Sequence, residues 1–433
     1  MHLGILTSHP IQYQAPWFRA LAKICDLEVF FAHRQTASEQ GKAGFGVEFE
    51  WDVDLLSGYK HTFIKNISAS PGVECFSGCD TPAIGEIIRS KRAEASGREV
   101  KRFDAFIVCG WYLKCYRQAI RGCRAADVPV LVRGDSQLGT PRSWPKRLVM
   151  EVRQRWLLRQ FDGFLTVGQR NREYLEHFGA RPETIFFIPH FVDNEWFSAK
   201  AETAKKRKAD IRNQWGASEN TLVILFVGKF QRIKRPGDIL RAMSLMSSQE
   251  PNVGELTPDG NHQLPIASES VECQLGINKQ SLNFMAVFVG SGELEEDLRL
   301  SAEKLGVHAR FAGFKNQSEL PAYYVAADVL VLSSESETWG LVVNEAMACG
   351  LPAIVSDAVG CAPDLIEEGK TGFTFKLGNT AELADNLSML ANMKLTGHDF
   401  APALKEKMRV YSLQNAVLST MLALQQLVIN RRR

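Results

Sequence analysis

Two carboxylates, Glu337 and Glu345, stand eight residues apart in the stretch SSESETWGLVVNEAMACGLP, residues 333–352. An apolar run, ADVLVLS from Ala327, precedes them, and a second, PAIVSD from Pro352, follows. Residues 341–349 read as a short helix closed by Gly350, so the unit is strand, loop, helix, strand, as in a parallel α/β sheet. Unpaired N–H groups at the start of such a helix attract anions. Gly340, Leu341 and Val342 could therefore seat a diphosphate. Glu337 would stand ahead of it on the loop and Glu345 behind it on the helix, each able to accept hydrogen bonds from sugar hydroxyls. Glu345 shares its helix with Val342 and Met347, which argues against a fully solvated charge. The same spacing would also arise if both carboxylates simply covered a solvated helix end.

A second cluster is basic. Residues 222–227 read as a buried strand, followed directly by Gly228-Lys229 and, five residues on, by Lys234-Arg235. Two ammonium groups beside two phosphates would neutralise a departing diphosphate without a metal. A plain surface cluster of cations is the other reading. Strand 284–289 runs into Gly290-Ser291-Gly292 and a helix to residue 305, a setting in which a Gly-x-Gly can approach phosphate. In the first half, strand 3–8 ends in His9-Pro10, and ligands approach parallel sheets at the carboxyl ends of strands. His9, Gln12 and Tyr13 thus stand at a site edge, as does Asp135 in Arg133-Gly134-Asp135-Ser136, after strand 128–132. Each also reads as a turn residue.

The central stretch resembles the Glu-x7-Glu signature of the family-4 glycosyltransferases, retaining enzymes with the GT-B fold. The family pattern of Glu, two residues, Gly, four residues, Glu-Ala-Met-Ala is matched by Glu337, Gly340, Glu345, Ala346, Met347 and Ala348. The basic pair resembles the family's Gly-Arg-x4-Lys grip on the donor diphosphate. Lys229 stands where the family has Arg, which keeps the charge and loses the bidentate fork. The resemblance covers most of the chain, most strongly its second half. It implies catalytic roles for Glu337, Lys229 and Lys234. It implies donor binding by Gly228, Gly290, Gly292, Phe314, Trp339, Gly340, Leu341, Val342 and Glu345. In that scheme Glu345 binds the ribose hydroxyls, Glu337 binds the donor sugar near its 3- and 4-hydroxyls, and the backbone at Phe314 faces the nucleobase. His9, Gln12 and Asp135 are candidates for the acceptor side or the cleft. The family commonly has a His in the Asp135 loop, and this chain has none there. Residues 188–193, Ile-Pro-His-Phe-Val-Asp, resemble the family's Pro-Asn-Gly-Val-Asp segment, and His190 is expected to be a packed strand-end histidine. Asp52-Val53-Asp54 has the Asp-x-Asp form that binds metal in the other large glycosyltransferase fold. It lies in a weakly patterned segment and is read as a solvated turn; no metal site is expected.

The fold these elements imply is α/β: the GT-B arrangement of two facing doubly wound, Rossmann-like domains. Residues 1–200 form the acceptor-side domain and 213–402 the nucleotide-sugar donor domain, with 403–433 a helix crossing back to pack on the first. Residues 33–80 are expected to hold long loops and a short strand pair. Residues 198–212, with four basic residues from Lys205 to Lys208, read as a solvated hinge linker. Residues 247–282 read as a surface insertion without a period. The final segment ends in three Arg residues, but it lacks a basic face along its length, so a packed helix is preferred to one lying on a membrane.

A chain of 433 residues suits two domains; a net charge of +2 argues neither for nor against nucleic acid, and no nucleic-acid partner is expected. The nine cysteines, an odd and scattered set, fit reduced thiols in a cytoplasmic protein. Cys75 and Cys79 lack a second pair at zinc-ligand spacing. No run of 18 apolar residues marks a membrane span, and the first residues lack the basic region of a secretory signal. A peripheral membrane contact stays open. The activity implied is metal-independent, retaining transfer of a hexose or related sugar from a nucleotide diphosphate sugar to a hydroxyl of a glycan or lipid-linked acceptor, in glycan, polysaccharide or glycolipid synthesis. Besides that co-substrate no cofactor is expected. No close carboxylate pair of the glycosidase kind is placed by the sequence, so the expected route is a front-face reaction in which the diphosphate takes the acceptor proton. A GT-B nucleotide-sugar epimerase and a non-catalytic nucleotide-sugar-binding subunit are the alternatives.

Overall fold

The computed structural model describes residues 1–90, 102–139, 144–248 and 283–432. Most of its strands are short apolar runs with both faces covered, the pattern that makes parallel rather than antiparallel sheets. In the first sheet, β1 (His2–Thr7) is buried at all six positions, and β2 (Asp26–Phe31) at all but the first. They join β3 (Lys60–Phe63), β4 (Ala105–Val108), β5 (Val130–Gly134), β6 (Gly163–Thr166) and β7 (Ile185–Phe187) in the order β3-β2-β1-β4-β5-β6-β7, all parallel. The helices α1 (Ala15–Ala22), α2 (Ala37–Gln40), α3 (Ala83–Ser90), α4 (Lys114–Ala126), α5 (Trp144–Leu158) and α6 (Gln169–His177) fall between these strands. The segment expected to hold a strand pair holds β3 alone, with α2 and long loops.

The second sheet has the order β10-β9-β8-β11-β12-β13 and is also parallel. Its strands are β8 (Thr221–Val227), β9 (Asn283–Val289), β10 (Ala309–Gly313), β11 (Val329–Leu332), β12 (Ala353–Ser356) and β13 (Gly372–Phe375). Before it stand α7 (Asn194–Lys205) and α8 (Lys208–Trp215). Around it lie α9 (Gly237–Ser248), α10 (Glu295–Lys304), α11 (Leu320–Ala326), α12 (Leu341–Ala348), α13 (Ala362–Leu365) and α14 (Thr380–Leu395), followed by α15 (Ala401–Val410) and α16 (Leu413–Arg432). Most of the expected insertion, residues 249–282, lies outside the described residues.

Two expectations change. The hinge linker is helical: α7 buries Phe197 and Ala201, and α8 buries Trp215, which stacks on Tyr323 at 5.5 Å. Arg212 of α8 is buried, donating to Asp328 Oδ2 at 3.0 Å and to the Ala326 carbonyl at 3.0 Å. These helices pack on the second sheet's domain, so the expected boundary at 200 falls inside α7. The final segment is two helices rather than one. Leu404 and Met408 of α15 share a core with Val343 and Met347 of α12 in the second domain. After a break at Tyr411 and Ser412, Ala416, Val417, Ala423 and Leu424 of α16 join Trp17, Phe18 and Leu21 of α1 in the first. The chain thus crosses back as expected, in the GT-B manner.

Candidate active site

Each sheet reverses its strand order once, between β1 and β4 and between β8 and β11. At such switch points the carboxyl ends of neighbouring strands splay and leave a crevice. The two crevices face each other across a cleft of about 530 Å³. Gln12, Tyr13 and Trp51 line it from the first domain. The second domain contributes the loops after β8, β10 and β11 and the start of α12.

The loops after β8 and β11 are tied together. Ser333 Oγ donates to the carbonyls of Lys234 at 3.1 Å and Arg235 at 2.8 Å, and the Glu335 amide donates to the Ile233 carbonyl at 2.8 Å. This brings Lys234 Nζ into an ion pair with Glu337 Oε2, each side chain only about a fifth exposed. Lys229 is half-buried in the same cleft. Burial, and then the neighbouring Lys234 charge, lowers its ammonium below the ordinary lysine range. Gly340 turns the chain into α12 with φ +104°, and an added Cβ would stand 3.0 Å from Leu332 Cδ2. Only glycine enters the helix there without strain. The first-turn amides of α12, at Leu341 and Val342, therefore open beside the two lysines.

Glu345 lies one turn further along α12. Withdrawal from water pushes its carboxyl up to about 7, against the smaller opposing effect of Tyr324, whose hydroxyl donates to Oε2 at 2.6 Å. Phe314 lines the other end of the cleft, its ring 4.4 Å from that of Phe49. Gly228 and Gly290 also line the cleft, and their loops touch backbone to backbone: a Cβ on Gly290 would fall 1.9 Å from the Gly228 carbonyl oxygen.

Four expected site residues, Gly292, Trp339, His9 and Asp135, are not among those lining this cleft. Gly292 is set against the Phe230 backbone, where a Cβ would meet its carbonyl oxygen at 2.7 Å, so its role is to let two loops pack. Trp339 is buried away from the cleft: its Nε1 donates to Asn344 Oδ1 at 2.7 Å and its ring tilts against His190 and Tyr411. His9 is set back from the lining, its Nδ1 3.0 Å from Ser8 Oγ; burial, then His33, lowers it to about 4 and keeps it neutral. Asp135 accepts from Thr338 Oγ1 at 2.7 Å and so ties the β5 loop to the second domain. Asp52 is exposed on a bend, as expected of a solvated turn, and also reaches the second domain. Its carboxylate accepts from the Ser318 amide at 3.2 Å and from the Ser318 hydroxyl, across the cleft rim. His190 is buried at the domain junction as expected.

Sequence reasoning missed Trp51, Gln317 and Tyr324. Tyr324 lies on α11, the helix leading into β11, and its pairing with Glu345 needs the packing of α11 on α12. Trp51 reaches the cleft only because the first domain's 44–52 segment lies on the second. Neither leaves a local pattern. Gln137 was also missed: its Nε2 donates to the Glu337 carbonyl at 2.9 Å and braces that loop from the first domain.

Residues 271–407 match the family model described as Glycosyl transferases group 1. That span holds Gly290, Phe314, Glu337, Gly340 and Glu345, most of the second domain's share of the cleft. A D-inositol 3-phosphate glycosyltransferase of Corynebacterium aurimucosum is 27% identical over 228 residues, covering 52% of this chain and 47% of that protein. The sulfoquinovosyl transferase SQD2 of Arabidopsis thaliana is 40% identical over 134 residues, 30% of this chain and 25% of its own. The chain spans about half or less of the length of these curated relatives. Among solved structures, Anabaena Alr3699/HepE in complex with UDP and glucose superposes with a TM-score of 0.63 at 15% identity, over 98% of this chain and 99% of that one. The likeness extends the GT-B architecture to both domains.

Proposed function

We propose that the protein is a retaining glycosyltransferase that moves a sugar from a nucleoside diphosphate sugar to a hydroxyl of a glycan or lipid-linked acceptor, without a metal. The observation that carries this reading is one cleft holding Lys229, Lys234, the open first turn of α12 and the Glu345–Tyr324 pair. Two cations and a helix start can stabilise a diphosphate as it leaves, in a site that needs no reorganisation to do so. Glu345 accepts the ribose hydroxyls. Glu337, held by Lys234, accepts hydroxyls of the donor sugar and fixes its anomeric carbon against the cleft. As the glycosidic bond to the diphosphate breaks, the leaving oxygen takes the acceptor's proton on the same face, and the acceptor oxygen bonds to the anomeric carbon with retention. The group 1 match over the second domain supports the class. The UDP complex of the HepE neighbour supports uridine nucleotides as the first donors to try.

Incubation with nucleotide sugars should release nucleotide only when an acceptor is present, with the anomeric configuration kept in the product and full activity in excess EDTA. Isomerised donor without acceptor would indicate an epimerase instead. Nucleotide binding with no turnover across a broad acceptor panel would indicate an accessory subunit. Loss of activity to EDTA, restored by Mg²⁺ or Mn²⁺, would overturn the charge-neutralisation mechanism.

A further inference from the structure

Away from the cleft, α5 presents an exposed apolar face. Val149, Val152 and Trp156 follow at helical spacing of three and four, so they form one stripe. They are 68, 67 and 60% exposed. The core-facing side of the same helix is separate, carrying Gln154, Leu157 and Leu158, all buried. Beside the stripe, α5 and α4 enclose a groove of about 390 Å³ lined by Phe76, Tyr112, Trp156, Arg117, Arg121 and Arg153. Phe76 and Tyr112 are about half exposed and meet edge to face at 6.5 Å. No carboxylate among the described residues pairs with Arg117, Arg121 or Arg153. The Arg117 guanidinium is lowered from its ordinary range by burial, then by Arg153 and Arg121, three like charges gathered on one groove.

Guanidiniums held together recognise phosphate. A row of valines with Trp and Tyr at its edge suits the boundary between headgroups and acyl chains. We propose that this face docks on a bilayer surface rich in anionic phospholipid, with Arg117, Arg121 and Arg153 on lipid phosphates and Val149, Val152 and Trp156 entering the acyl boundary. A protein partner would have to supply three carboxylates among apolar side chains, whereas a lipid surface offers both chemistries everywhere. The helix follows the loop of Asp135 and Gln137, so docking brings the first-domain edge of the cleft toward the headgroups. This rests on the lipid-linked branch of the acceptor reading above. The test uses neither donor nor acceptor, so the two can fail separately.

The full chain is sedimented with phosphatidylcholine vesicles, with and without phosphatidylglycerol. Partition is expected only with the anionic lipid and should fall with added salt. A basic residue near such a surface contributes roughly a factor of five, so the Arg117→Gln, Arg121→Gln, Arg153→Gln variant should lose about 10²-fold in partition. The Val149→Ser, Val152→Ser, Trp156→Ser variant should lose binding as well. Removal of the same charge from the second domain, at Arg299, Lys304 and Arg310, should change little. All these positions except Arg117 are exposed, and circular dichroism checks that each variant keeps its fold. Equal binding to both lipids, equal loss from the second-domain variant, or an unchanged serine variant would overturn the proposal. So would retention on a soluble polyanion with no partition to vesicles.

Discussion

At neutral pH the Glu345 carboxyl is divided between acid and carboxylate, because burial pushes it up to about 7. In the proposed role of Glu345, ribose hydroxyls donate best to the ionised form, so donor binding draws off the proton. The dissociation constant for UDP-glucose, whose diphosphate does not titrate here, should rise about 10-fold per pH unit below about 7 and be level above it. Titration calorimetry of the Glu345→Gln variant should give weaker binding without the slope; an equal slope in both would assign the proton elsewhere. The sign for stability is separate. A carboxyl raised in the folded state contributes nothing below its unfolded value of 4.5, costs stability as pH rises from there to about 7, and costs no more beyond. The decline in melting temperature over that window should be shallower in Glu345→Gln. On the proposed reading, Lys234 acts on the other side of the phosphates. Lys234→Ala removes a preorganised cation and strands Glu337, and should cost on the order of 10²-fold in turnover. Lys206→Ala, on the exposed turn between α7 and α8, should cost little. Comparable losses in the two would reduce Lys234 to a surface charge.

The loops that carry these groups depend on glycines where backbones touch. Gly290 has φ +135°, and a Cβ there would overlap the Gly228 carbonyl oxygen at 1.9 Å. Gly306 also has a positive φ, +63°, but meets nothing within 4 Å. Gly290→Ala should destabilise by roughly 3 kcal/mol, on the order of 6–12 °C in melting temperature, against about 1 kcal/mol for Gly306→Ala. Similar losses would show the crossing of these loops to be looser than the contact implies. Such crossings explain what the sequence reveals and what it hides. β8, β9 and β11 are continuous apolar runs, and the loop, glycine and helix after β11 are local, so the strand–loop–helix unit is legible residue by residue. The helices α7 and α8 read as a linker because their packing rests on sparse anchors, Phe197, Ala201 and Trp215, in polar sequence. Trp339 sits beside Gly340 in the motif, yet a loop can send adjacent side chains to opposite sides. Its indole goes to Asn344, His190 and Tyr411, partners that only the folded domain junction assembles.

The two domains meet on both sides of the cleft, and the two seams differ. At the floor, the chain crosses between domains near residues 190–194 and again at Tyr411. There Gln169 N donates to Asp364 at 3.1 Å and Asp135 takes the Thr338 hydroxyl. At the rim, the first domain's 44–52 segment lies over the donor side. The backbone at Gly44 lies against the side chains of Gln231 and Lys229, Phe49 packs on Phe314, and Asn316 Nδ2 donates to the Glu50 carbonyl at 2.7 Å. Asp52 fastens this segment through Ser318 and brings Trp51 to the cleft wall. The rim bonds are exposed polar contacts, so each is weak against water and they can open and remake as a donor enters. Asp52→Ala should then leave the fold intact but favour a more open cleft. A larger radius of gyration by small-angle scattering is expected, with UDP bound about 3- to 10-fold more weakly because the open form must close before Trp51 can contribute. Asp54 provides the control. It sits two residues away, but its carboxylate caps its own turn at the Leu56 and Ser57 amides, 3.0 and 3.1 Å away, so Asp54→Ala should leave the scattering unchanged. If Asp52→Ala changes neither the radius nor the affinity, the rim is a passive contact and closure is set by the floor alone.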